Sequence, residues 1–78
     1  MMVTYDPDAD ALYVSFEPRG AGDVVRTVEL GDGRQVDYGA EDLLLGVEFL
    51  GVSQGVNLTD VPRVEDVRAA PASLPKVA

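Results

Sequence analysis

The sequence predicts an α+β domain that is mainly β: an antiparallel β-meander sheet of about five strands with one short C-terminal helix and an irregular tail. Three observations carry that reading. Apolar and polar residues alternate over short runs, turn residues separate those runs, and helical spacing of apolar residues is found in one stretch near the C-terminus.

Met2 to Tyr5 is the first expected strand. Ala11 to Phe16 is the second, because Leu12, Val14 and Phe16 alternate with Tyr13 and Ser15, a period of two. Pro18-Arg19-Gly20-Ala21-Gly22 is rich in turn residues, and Val24 to Leu30 follows as a third strand. Gly31-Asp32-Gly33 then makes a tight connection to a fourth strand, Arg34 to Tyr38, since Asp-Gly between strand patterns is a strong hairpin signal. A second turn over Gly39 to Asp42 leads into Leu43 to Leu50, the most apolar segment and therefore the one expected at the centre of the sheet. Val56-Asn57-Leu58 reads as short and extended. Thr59-Asp60-Val61-Pro62 offers N-cap side chains and a proline suited to a first helical turn, which predicts a helix running to Ala70 with Val61, Val64 and Val67 as its apolar stripe. Residues 1–70 are expected to form one domain and 71–78, with Pro71 and Pro75, a flexible tail or an arm reaching a neighbouring chain.

A register follows from these turns. Leu30 is set opposite Arg34, Val28 opposite Val36 and Arg26 opposite Tyr38, and the next turn sets Leu45 beside Val36 and Leu43 beside Tyr38. One face then becomes apolar, while Thr27, Glu29, Gln35, Asp37 and Glu48 fall on the other, as expected of a sheet wetted on one side.

Composition limits the chemistry. A chain of 78 residues buries only roughly 60–65% of its unfolded surface, so its core is small and pairing with a copy of itself or a partner is a common remedy. Fourteen acidic residues against six basic ones give a net charge of −8, which disfavours nucleic acid and anionic lipid as direct ligands. Cysteine and histidine are absent, so disulfides, thiolate metal sites and histidine-based triads are excluded. The start, MMVTYDPDAD, lacks a basic segment followed by an apolar one, and no apolar run approaches the roughly 20 residues that cross a bilayer. A cytoplasmic location is the expectation. The arginine-rich basic set and frequent Ala, Gly, Val and Asp resemble a bacterial protein from a GC-rich genome.

Asp6, Asp8, Asp10 and Glu17 fall at positions 1, 3, 5 and 12 of an EF-hand-like loop. The glycine such a loop needs at position 6 is Ala11, and strand-like residues follow where a helix should begin. The stretch is therefore read as a polar β-turn, with weak divalent-cation binding as the alternative. Asp37 and Glu48 could share the polar face, but a solvated face does not split two carboxylate pKa values as acid–base catalysis requires. Arg26 beside Tyr38 is read as packing of the arginine stem, with a cation–π pair or a small anion patch as the alternatives. No catalytic residue and no cofactor is expected.

The ordered combination of Tyr5 to Val14, Arg26-Thr27-Val28-Glu29, Val36-Asp37-Tyr38 and Leu45 to Leu50 resembles domain-of-unknown-function family 2283. The resemblance spans about the first fifty residues and implies a compact bacterial or archaeal β-meander domain, with no activity, catalytic residue or cofactor to carry over. The segment from Val52 departs from the family's shortest members. Marginal size and surplus apolar surface predict a non-enzymatic protein-interaction module that homodimerises through its sheet face, helix or tail. The alternative is an antitoxin-like partner of a small basic protein, whose encounter the acidic charge would speed.

Overall fold

The computed structural model describes residues 1–17 and 22–69. Alternation in the sequence becomes sidedness in space. Five strands, β1 (Met2–Asp6), β2 (Ala11–Ser15), β3 (Arg26–Gly31), β4 (Arg34–Tyr38) and β5 (Leu44–Leu50), pair antiparallel in one open sheet of order β1-β2-β5-β4-β3. The mainly-β fold class is as the sequence predicts. β3, β4 and β5 run as a meander, and the β1–β2 hairpin docks on the free side of β5. That places β5 at the centre, as its apolar composition requires.

On the covered face Leu12, Val14, Phe16, Val36, Val47 and Phe49 are buried. Val52, Val61 and Val67, beyond the sheet, join the same cluster, and Val56 and Leu58 pack against it half-buried. The segment after β5 is thus the lid of the core. Each fully buried Val, Leu or Phe stabilises by about 1.5–3 kcal/mol.

The turns explain where the register departs from expectation. Asp32 and Gly33 both take positive φ (55° and 74°), the pattern of a type I′ hairpin turn. Val28 pairs with Val36 and Arg26 with Tyr38 as predicted, but an irregularity between Glu29 and Gly31 sets Gly31, and not Leu30, opposite Arg34. At the next turn Val36 pairs with Val47 instead of Leu45, and Tyr38 with Leu44 instead of Leu43. The cause is a 3₁₀ turn over Ala40–Asp42, in which Glu41 and Asp42 are left-handed, together with an irregularity at Asp37/Tyr38. Beside Val36 the slip is two residues, and an even slip preserves the faces. Thr27 still lies opposite Asp37, and Gln35 lies between Glu29 and Glu48.

Two ends also move. β3 begins at Arg26 rather than Val24, leaving Val24 and Val25 exposed. The helix, α1 (Val64–Ala69), begins later than predicted. Asp60 and Arg63 have positive φ (63° and 51°), which breaks the helical path before Val64. Of the predicted stripe, Val61 and Val67 are nonetheless buried, while Val64 is half-buried. Residues 18–21 of the expected turn Pro18 to Gly22, the helix end at Ala70 and the tail 71–78 lie outside the described residues.

Candidate functional site

Three polar assemblies stand out, and each begins from a residue placed by the sheet. The first is the aspartate turn between β1 and β2. Asp6 Oδ1 accepts the backbone N–H groups of Asp8 (3.0 Å) and Ala9 (3.4 Å), an aspartate turn of the ordinary kind. Asp10 does something the sequence did not announce. Its carboxylate accepts the Ser53 hydroxyl at 2.6 Å, the Ser53 N–H at 3.1 Å and the Tyr5 hydroxyl at 3.2 Å. Its carbonyl also accepts the N–H groups of Gly51 and Val52. Asp10 is a latch between the first hairpin and the chain leaving β5. The Ser53 hydroxyl, helped by the Ser53 N–H and Tyr5, holds the Asp10 carboxyl below the ordinary aspartate range.

Asp8 is exposed, and Glu17 lies beyond the far end of β2. At about 3.3 Å per residue, that strand carries Glu17 on the order of 15 Å or more from the turn. A strand thus runs where a calcium loop would have to curl back. Among the described residues no three carboxylates come together to hold a metal ion.

The second assembly crosses the open face. Tyr13 on β2 lies over Gly46 on β5 and donates its hydroxyl to Asp37 Oδ2 on β4 at 3.0 Å, while Thr27 on β3 donates to Asp37 Oδ1 at 2.8 Å. Gly46 is required by this close approach, because a Cβ there would come within 2.7 Å of the Tyr13 ring carbon Cε2. Burial, the bond to Asp37 and the nearby carboxylates of Asp37 and Glu48 push the Tyr13 hydroxyl up to about 12. Asp37 and Glu48 do share a face, as predicted, but Asp37 is bound in this ladder.

The third assembly is on the covered side. Arg34 is 5% exposed and sits in the apolar row beside Val36, opposite Phe49. Its guanidinium donates to the carbonyls of Gly31 (3.1 Å), Leu30 (3.1 Å), Asn57 (3.3 Å) and Thr59. The planar fork thereby ties the lid segment to the β3–β4 turn. No buried side-chain polar atom among the described residues lacks a partner. The row position of Arg34 was visible in the sequence, but its carbonyl partners, 23 and 25 residues away, were not.

Arg26 stands 4.5 Å from the centroid of the Tyr38 ring and pairs with Asp42 at 2.8 Å. The cation–π reading therefore holds, and an internal carboxylate occupies the guanidinium that an anion patch would use. Arg63 lies likewise over Phe16 and pairs with Asp66.

These features define a one-sided antiparallel sheet domain whose inward polar groups are spent on its own architecture. The chain belongs to the family described as a protein of unknown function (DUF2283), whose sequence model matches residues 2–53 of the 78. That match covers all five strands and ends at Ser53, the partner of Asp10. No curated protein and no solved structure matches the chain. No described helix is long and apolar enough to cross a membrane.

Proposed function

We propose that this domain is a non-enzymatic protein-interaction module that self-associates. The observation that carries the reading is the one-sided sheet. The lid covers one face, whereas the other face and the outer sides of β1 and β3 pair with nothing among the described residues. A domain this small gains burial by association. The strongest polar groups, Asp10, Asp37 and Arg34, are engaged internally, which supports a surface that binds over a site that reacts. Light scattering at micromolar concentration tests this: a mass twice that of the chain is expected, and a strict monomer removes the reading.

A second reading, an acidic partner of a small basic protein, is favoured by the open face itself. Glu29, Asp37 and Glu48 line it, and its rows on β1 to β5 carry no lysine or arginine. Such a face would steer a cationic partner and be weakened by salt. Affinity capture from the native host should then recover a basic protein that elutes at high salt; an empty eluate counts against it.

A further inference from the structure

Strand parity decides which backbone groups face outward at the β1 edge. Gly51 N–H donates to the Asp10 carbonyl (2.8 Å) and Phe16 N–H to the Leu45 carbonyl (2.9 Å). Because a strand turns its N–H and C=O groups to alternate sides, Leu12 and Val14 also face β5, while Ala11, Tyr13 and Ser15 face β1. Their partners Asp6, Thr4 and Met2 are thus the β1 residues bonded inward. Val3 and Tyr5 present their N–H and C=O groups to the open side.

The two edges of the sheet differ in protection. β3 carries Arg26 and Glu29 and is irregular between Glu29 and Gly31, features that blunt edge pairing. β1 reads Met-Val-Thr-Tyr before its single charge at Asp6 and is regularly paired along its length. Its exposed edge has no charge, proline or bulge until Asp6-Pro7.

We propose that β1 is the self-association edge: two copies pair β1 with β1, antiparallel about a two-fold axis through Thr4, so that one continuous sheet crosses the dimer. This rests on the self-association reading above and names its surface. Within Met2–Asp6, centring on Thr4 is the register that pairs both outward residues, Val3 with the partner's Tyr5 and Tyr5 with the partner's Val3. Each such pair exchanges both of its backbone bonds. On the covered side the half-buried Val3 and Tyr5 meet their counterparts, extending the apolar face across the axis. On the open side Thr4 meets the partner's Thr4, and Asp6 faces the partner's Met2, so the edge sets no carboxylate against another. Pro7, lacking an N–H, ends the ladder. The arrangement is isologous and closes at two copies.

Thr4 is exposed in the single chain, so it can be changed without disturbing the core. At the axis it forms a non-hydrogen-bonded pair, with Cα atoms about 4.5 Å apart, inside the roughly 4.4–6.8 Å range a disulfide accepts. In this cysteine-free chain, Thr4→Cys is expected to cross-link to a covalent dimer under mild oxidation, and Glu29→Cys on the other edge to cross-link at least about tenfold more slowly. Thr4→Lys sets two ammonium groups face to face and should raise the dimer dissociation constant at least about tenfold, with an unchanged circular dichroism spectrum. If the parent chain is dimeric but Thr4→Cys links no faster than Glu29→Cys and Thr4→Lys stays dimeric, the β1 interface is overturned while self-association stands. A monomeric parent overturns both.

Discussion

The ring of Tyr13 occupies the space that a side chain on Gly46 would need, one strand away. The missing Cβ lets the Tyr13 hydroxyl reach past the central strand to Asp37. One glycine therefore binds four strands, β2 to β3, into a single cross-sheet row.

Gly46→Ala should accordingly displace Tyr13 and cost about 1–3 kcal/mol, whereas Tyr13→Ala followed by Gly46→Ala should show a smaller second cost, because the clash is already gone. Urea denaturation of the four variants closes the cycle. Additive costs would contradict the proposed steric coupling.

Tyr13 also sets an alkaline limit. Its folded pKa lies at about 12, above the ordinary value of 10.0, so the stability it contributes is fully present below pH 10 and is lost as the pH rises toward 12. Titration of tyrosinate absorbance should show a late phase that Tyr13→Phe abolishes. Its persistence in that variant would assign the late phase elsewhere, Tyr5 being the other raised tyrosine.

The acid limit belongs to Asp10. Its folded pKa lies below the ordinary 3.8, so its contribution is present above that value and disappears as the pH falls through the lower folded one. Ser53→Ala removes the first cause of the shift and should lower the melting temperature at pH 7 more than at acid pH. Equal losses at both would show that Ser53 acts without regard to the Asp10 charge.

Arg34→Met keeps an apolar stem but strips the donors from four carbonyls. A loss on the order of 3 kcal/mol is expected, a large share of the stability of so small a domain. Arg34→Lys should recover little, because an ammonium cannot span the fork geometry. Full rescue by lysine would reduce the role of Arg34 to charge alone.

The self-association proposed above is expected to strengthen with salt. Two copies carrying −8 each repel, and screening shortens the reach of that repulsion to about 10 Å at 0.1 M ionic strength. Sedimentation across a salt series gives the slope; tighter association at low salt would point to attraction between opposite charges instead.

What the sequence made legible was sidedness. Leu12, Val14 and Phe16 inward, and Thr27, Asp37, Gln35 and Glu48 outward, follow from a period of two that turns cannot hide. The β4–β5 register was not legible, because left-handed Glu41 and Asp42 consume residues in a way their identities do not advertise. The late start of α1 has the same origin at Asp60 and Arg63. Of the candidate cation residues, Asp10 proved the informative one, yet its partner Ser53 is 43 residues away, beyond the reach of local pattern. Tyr13 looked like an ordinary strand aromatic, and only the pairing that sets Gly46 beside it gives it a role.

The docking of β2 on β5 has a kinetic consequence. Every other strand pair joins neighbours in sequence and closes a short loop, whereas Leu12 must find Phe49 across most of the family-matched region. The entropic cost of closing that loop falls on one event. Folding is thus expected to be limited by the meeting of two locally formed ribbons. In stopped-flow measurements, truncation at the Leu12–Phe49 seam should slow refolding, while changes in the Asp32-Gly33 turn should move that rate less; the reverse ranking would place the barrier in the turn.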